Sequence, residues 1–279
     1  MPGSWARRAA AASPRPLDAP VIRATGIGGS YDAAVFRDDF DGPALDTGTW
    51  VPSYLPQWSS RAASAAAYEL AGSELRLTVP SGHPVWCADD HEPPIRVSGI
   101  QSGVWSGPPG SPRGQQPFEG ALVREAQEAM WGWTPERGRI EIRARMELSP
   151  RSMAAVWMVG LEDEPDRCGE ICIFEVFGKA LRHGTAEVGM GVHAFRDPAL
   201  TEEWDALRLA LDVTEPHVYA AEWRPGAVDF LVDGAHVKSV AQAPAYPMQM
   251  EVAVFDFPAS EGPDDHVPLL AVDWIAGSG

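Results

Sequence analysis

Residues 169–175 read Gly169-Glu170-Ile171-Cys172-Ile173-Phe174-Glu175, two glutamates and a cysteine set into a run that otherwise has the composition of a buried β-strand. Side chains alternate across a strand, so Glu170 and Cys172 share one face and Ile171 and Ile173 the other. Strict alternation would place Phe174 with the glutamates and Glu175 in the core. An unpaired carboxylate in a core is costly, so the sequence predicts a one-residue bulge at Ile173-Phe174. The bulge puts Glu170, Cys172 and Glu175 on one face. Two carboxylates held on a rigid strand can cleave a glycosidic bond with retention, one attacking the anomeric carbon and one protonating the leaving oxygen. That chemistry needs carboxyl groups about 5 to 5.5 Å apart. The strand rise separates the two backbones by about 13 Å, so the long side chains must lean toward each other across Cys172. The plainer alternative is a pair of solvated glutamates on an edge strand. The apolar flanks and the nearby Trp157 and Phe177 weigh against it.

Working outward, short extended runs alternate with turn signals. Glu74–Val79, Arg139–Met146, Val218–Trp223, Val228–Val232 and Met248–Val254 all read as strands. Asp233-Gly234 sits between two of these runs as a type I′ hairpin turn. Helical signals are weak; the best is Thr201–Leu207, with Thr201 as cap. Many short strands without long intervening helices predict an all-β antiparallel sandwich or barrel. Residues 80–118 are rich in proline, and Arg96–Ser102 reads as a strand interrupting them, with the flanking loops as candidate cleft walls. Residues 1–33 are dominated by Ala, Pro and Gly and read as an extension; residues 34–279 read as one domain.

The chain has 279 residues, 45% of them hydrophobic and 22% charged, enough for one large core. Its net charge of −17 would repel phosphate backbones and anionic membranes, so neither nucleic acid nor membrane is an expected partner. Neutral substrates suit such a surface, and the 11 tryptophans could stack on sugar rings or simply fill a core. No apolar run reaches the roughly 18 residues needed to span a bilayer. Arg7-Arg8 and the alanines after them hint at a twin-arginine signal, but Ser13-Pro14-Arg15-Pro16 ends the apolar run early. Three cysteines form no disulfide framework. The expected location is the cytoplasm, with secretion second. Oligomeric state leaves no signal.

His83, Cys87 and His91 recur every four residues and would share a helical face fit for zinc. Pro84 and Pro93-Pro94 make that stretch a loop instead, and no metal is assigned. Walker A and G-x-S-x-G patterns are absent from the sequence, and Gly26-Ile27-Gly28-Gly29 lacks the context of a dinucleotide loop.

The run Glu170-Ile-Cys-Ile-Phe-Glu175 resembles the E-x-D-x-x-E signature of glycoside hydrolase family 16, the laminarinase and lichenase family. The likeness extends over about residues 36–275. It includes Phe36–Gly42 with Leu45-Asp46 and Trp50, Gly138–Arg145, His217–Trp223, Val232-Asp233-Gly234 and Tyr246-Pro247-Met248, all in order. The resemblance implies a concanavalin-like jelly-roll β-sandwich of two antiparallel sheets with a cleft on the concave face. It implies retaining hydrolysis of a β-linked polysaccharide of the β-1,3- or β-1,3/1,4-glucan kind. Glu170 matches the nucleophile, Glu175 the acid/base, and Cys172 the residue between them. His193, Trp157 and Phe177 fall where sugar-binding side chains are expected. No catalytic cofactor is implied; a structural calcium, which some members bind, could use Asp39 and Asp273. The chain departs from the pattern at Cys172, which replaces an Asp and is only a weak hydrogen-bond donor. It departs again at Met153, in place of a second Trp, and in Glu251–Phe257, which lacks an Asn/Gly-rich segment. These departures favour an alternative: a family-16 scaffold that binds a glycan or acts on a small intracellular molecule without cleaving polysaccharide.

Overall fold

The alternating runs at 139–146 and 218–223 pair with each other residue by residue and form the middle of a large sheet. The computed structural model describes residues 35–263 and 265–278; the extension over 1–33 lies outside them. In chain order the strands begin with β1 (Phe36–Asp38), β2 (Tyr68–Leu70), β3 (Leu75–Thr78), β4 (Arg96–Gln101), β5 (Gly103–Val104) and β6 (Met130–Trp131). The long ones follow: β7 (Gly138–Glu147), β8 (Ser152–Gly160), β9 (Glu170–Phe177) and β10 (Ala186–His193). The remainder are β11 (Glu203–Leu209), β12 (His217–Arg224), β13 (Ala227–Val232), β14 (Ala235–Val240), β15 (Met248–Asp256) and β16 (Leu269–Ser278).

These strands make the expected sandwich of two antiparallel sheets. An eight-stranded sheet runs β14-β13-β12-β7-β16-β3-β2, with β1 also on β16, and a six-stranded sheet runs β11-β10-β9-β8-β15-β4. Alternation decides which residues meet between the sheets. Ile171, Ile173, Phe174 and Val176 of β9 enter that core, where the Phe174 ring lies 4.5 Å from that of Tyr219 on β12. The other face of the six-stranded sheet is covered too. Met153, Ala155, Trp157 and Phe255 pack there beneath Tyr54, Trp58 and Trp86 from the loops. Burying each large apolar side chain contributes about 1.5–3 kcal/mol, which is why β8, β9, β10 and β15 are buried along their whole length.

The bulge forms where the sequence predicts it. Trp157 of β8 lies opposite Cys172 and Val156 opposite Phe174, so Ile173 is the additional residue. On the other side Gly191 and Gly189 of β10 lie opposite Cys172 and Glu175, so the register shifts by one residue across Ile173-Phe174 there as well. Asp233 and Gly234 both have positive φ, at 50° and 75°, as a type I′ turn requires. Arg96–Gln101 is the strand expected inside the proline-rich stretch and pairs with β15.

One expectation is overturned. Thr201–Leu207 is not helical; Glu203–Leu209 is the edge strand β11, paired with β10 from Val192↔Glu203 to Ala186↔Leu209. The reason lies on β10, where Gly189 leaves space for the Trp204 ring; a β-carbon at that position would sit 2.2 Å from it. Long-range pairing and burial of that indole outweigh the weak local preference. Among the described residues no helix is long and apolar enough to cross a membrane.

Gly191 has φ of +150°, and a β-carbon there would meet the Glu203 carbonyl oxygen at 2.2 Å and Trp204 Cα at 2.6 Å. We expect Gly191→Ala to lower stability by about 2–4 kcal/mol, read as a reduced urea midpoint. Gly82→Ala, in open space, should stay within about 0.5 kcal/mol. Equal midpoints for the two variants would remove the steric argument.

Candidate active site

Cross-strand register arranges the covered outer face of the six-stranded sheet in rows. One row runs His193, Glu170, Val159 and Gln249; the next runs Gly191, Cys172, Trp157, Glu251 and Gln101. A third runs Gly189, Glu175, Ala155, Ala253 and Gly99. Glu170 and Glu175 thus stand opposite Val159 and Ala155, four residues apart on β8 and about 13 Å apart along it. Cys172 occupies the row between them. The third row has only small residues beside Glu175, and the Trp204 ring rests over Gly189 in it.

Glu170 is 0% exposed and Glu175 1%. On one side of Glu170, the Nε2 of His193 lies 3.7 Å from Oε1. His193 is itself held by Glu202 at Nδ1 and stacks on Trp204 at 5.9 Å between centroids. On the other side the Gln116 amide lies 3.4 Å from Glu170 Oε2, and in its better-satisfied orientation it donates to Glu251 at 3.2 and 3.3 Å and accepts from Trp157 Nε1 at 3.3 Å. The Cys172 thiol donates to the Gly189 carbonyl oxygen at 3.7 Å.

Two further carboxyls border the pair. Glu251, on the row of Cys172, accepts from Gln249 Nε2 at 2.7 Å. Full burial, reinforced by the charge of Glu170, pushes its pKa well above the ordinary range. Glu162, just past the end of β8, accepts from the Gln116 backbone N–H at 2.6 Å and pairs with Arg196. Burial pushes its pKa up to about 7 against the lowering effects of Arg196 and that N–H.

The side chains proposed for sugar binding share this face to different degrees. His193 stands beside Glu170. Phe177 borders a small cavity with Glu175, Lys179, Glu187 and Trp204. Its ring stacks on Phe257 at 6.2 Å and lies 5.5 Å beneath the Lys179 ammonium. Trp157 is 0% exposed and presents no open ring face. Neither arginine that could have pinned the glutamates does so: Arg143 pairs with Asp273, and Arg182 donates to the carbonyls of Lys179 and Leu181.

The calcium ligands implied by the resemblance, Asp39 and Asp273, line one pocket with Asp41 and Glu74. Asp39 carries Arg37 and Asp273 carries Arg143. Among the described residues no group of three or more His, Cys, Asp or Glu is arranged to hold a metal. His83 and His91 bond backbone oxygens of Val97 and Pro93 in a loop, and Cys87 is buried with its thiol pushed up to about 12.

Gln116, Glu162, Glu202, Trp204, Gln249 and Glu251 were not foreseen. For two of them the signal was present: in Met248-Gln249-Met250-Glu251 the polar residues alternate with core methionines and must share a face. Gln116 sits in irregular chain, where periodicity carries no information.

The raised pKa of Glu162 has a consequence for folding. Between its ordinary 4.5 and its folded value of about 7, the folded state binds more protons than the unfolded. Stability from this group is complete below pH 4.5 and is lost as pH rises through 7, by about 3 kcal/mol at most. Glu162→Gln keeps the acceptor for Gln116 and should be less pH-dependent than wild type in urea midpoints from pH 4.5 to 8. Parallel curves would refute it.

The family model described as glycosyl hydrolases family 16 matches residues 127–275. The β-glucanase of Rhodothermus marinus is 33% identical over 129 residues, covering 42% of this chain and 43% of the relative, so the chain matches less than half of that protein's length. Among solved structures, the GlcNAcα1-4Gal releasing endo-β-galactosidase from Clostridium perfringens superposes with a TM-score of 0.75 at 26% identity. That match covers 91% of this chain and 64% of the other. The laminarinase from Flavobacterium sp. UMI-01 superposes with a TM-score of 0.61 at 19% identity, covering 88% of this chain and all of the other, and shares the fold. With the family match spanning more than half of its residues, the chain belongs to glycosyl hydrolases family 16.

Proposed function

We propose that this chain is a retaining glycosidase acting on a β-linked polysaccharide. The observation that carries the reading is the placement of Glu170, Cys172 and Glu175 on one face of a bulged strand, within a family of glycosyl hydrolases. In this reading Glu170 attacks the anomeric carbon and forms a glycosyl-enzyme while Glu175 delivers its proton to the leaving oxygen. Glu175 then takes a proton from the water that attacks the same carbon, releasing the sugar with its configuration retained. His193, seated beside Glu170, and Phe177, seated beside Glu175, would orient the ring. Cys172 is a neutral spacer whose thiol is turned to the β10 backbone.

The related β-glucanase favours a β-1,3- or β-1,3/1,4-glucan as substrate. The likeness to an endo-β-galactosidase favours placing β-galactans beside the glucans in any trial. A second reading has its own support: the near-complete burial of both glutamates suits a scaffold that binds a glycan or turns over a small glycoside rather than gripping a long chain.

The test is a product screen over β-glucans, β-galactans and small β-glycosides, with the first-formed anomer identified by proton NMR. We expect the retained anomer, and losses of at least about a thousandfold in kcat for Glu170→Gln and for Glu175→Gln with circular dichroism unchanged. Cys172→Ala should stay within about threefold of wild type. Equal turnover in wild type and both glutamine variants would end the hydrolase reading, and turnover confined to small glycosides would favour the second.

A further inference from the structure

The indole of Trp204 on β11 lies over Gly189 of β10 by its nitrogen-bearing edge. A β-carbon on Gly189 would meet Cζ2 at 2.2 Å, Cε2 at 2.8 Å and Nε1 at 3.1 Å. Gly189 is the residue opposite Glu175, and side chains directly opposed on neighbouring strands start about 4.5–5.5 Å apart. The missing side chain at 189 thus brings the indole N–H beside the Glu175 side chain. Stacking on His193 at 5.9 Å between centroids fixes the ring there. The Trp204 Nε1 atom is buried and has no hydrogen-bond partner among the described residues. A buried donor without an acceptor is costly.

The cavity that these residues border supplies one. Glu175, Lys179, Glu187 and Trp204 line it, and its volume is about 20 Å³, the room that a single water needs. Its walls offer an N–H, an ammonium and carboxyl oxygens, a set that holds a buried water. Phe177 and Lys179 follow Glu175 in the chain and Glu187 precedes Gly189, so the cavity flanks Glu175 on the side away from Glu170. A water there is remote from the anomeric carbon and is not the attacking one.

We propose that this cavity is a water site through which Trp204 positions Glu175: the indole N–H donates to the water oxygen, and the water donates to the Glu175 carboxylate. The role rests on the hydrolase reading, in which Glu175 becomes an anion once its proton has gone to the leaving oxygen. A hydrogen bond to the charged form favours that form, so the water makes Glu175 the stronger acid. The other titratable and charged groups around the pair are Glu170 and Cys172 on β9, Lys179 past it, Glu187 and His193 on β10, Glu202 and Arg208 from the β11 side, and Glu251 on β15. Arg208 donates to Glu187 at 2.8 Å and Glu202 holds His193. From β8 only Met153, Ala155 and Trp157 face them.

The first measurement needs no turnover: the indole 1H–15N resonance of Trp204, assigned by its loss in Trp204→Phe, followed against pH in wild type and Glu175→Gln. We expect an inflection in wild type that is missing in Glu175→Gln; coincident curves overturn the proposal. The second is the Glu175 titration by NMR with 13C-labelled glutamate in Trp204→Phe, which keeps a ring over Gly189 without the N–H, and in Ala206→Val, which fills the cavity from its β11 wall. In both it should rise by about half a unit or more, and the alkaline limb of kcat/KM should rise with it, because the acid keeps its proton to higher pH. An unmoved titration in Trp204→Phe overturns the proposal, and a shift in Trp204→Phe without one in Ala206→Val removes the water from it. Should wild type cleave no glycoside, the hydrolase reading fails by itself and both titrations still decide on Trp204.

Discussion

A carboxylate cannot be left alone in a hydrocarbon core, and that constraint shapes β9 and everything around it. Without the additional residue at Ile173, the pleat would turn Glu175 into the layer now filled by Ile171, Phe174 and Val176. The bulge resolves the conflict by sending two consecutive apolar side chains inward and both glutamates outward. Its neighbours are built to accept it: the registers of β8 and β10 each shift by one residue across Ile173-Phe174, and glycines on β10 make room for the edge strand beyond. The register of the whole six-stranded sheet therefore follows from one residue's displacement.

The electrostatics of the site follow from what is kept away as much as from what is present. The arginines around the sandwich are engaged elsewhere, Arg143 with Asp273 and Arg145 with Glu74, both on the opposite sheet. Arg196 approaches at Glu162, and the buried Arg208 is held by Glu187 beside the cavity that Glu175 and Lys179 line. Four carboxyls, Glu162, Glu170, Glu175 and Glu251, consequently share a poorly solvated region. Burial there pushes the pKa values of Glu162 and Glu251 upward. Such a region can store and exchange protons, which is what bond cleavage by acid and base demands.

The sandwich and the axis of the site were legible in the chain because both rest on local arithmetic. Alternation with period two marks β7, β12 and β15, the Asp233-Gly234 turn marks its hairpin, and the break in alternation at Ile173-Phe174 marks the bulge. The edge strand β11 was not legible, because its pairing depends on space left by Gly189 on another strand. Gln116 was hidden for a related reason: its position is set by partners at 57, 58, 105 and 162, none of them near it in sequence. Glu251 lies between these cases, readable as facing outward yet not as raised in pKa, since its neighbour Glu170 reaches it only through the sheet.

The plain row of Gly189, Ala155 and Ala253 beneath Glu175 carries its own consequence. Strands repeat about every 4.8 Å, and over Gly189 the Trp204 ring already occupies the place of a side chain, while Ala155 and Ala253 are fully buried. An added carbon at Gly189 would meet that indole at 2.2 Å and press on the edge strand that carries it. Evolution on that side therefore has to move in pairs, the strand position together with the aromatic ring that rests on it.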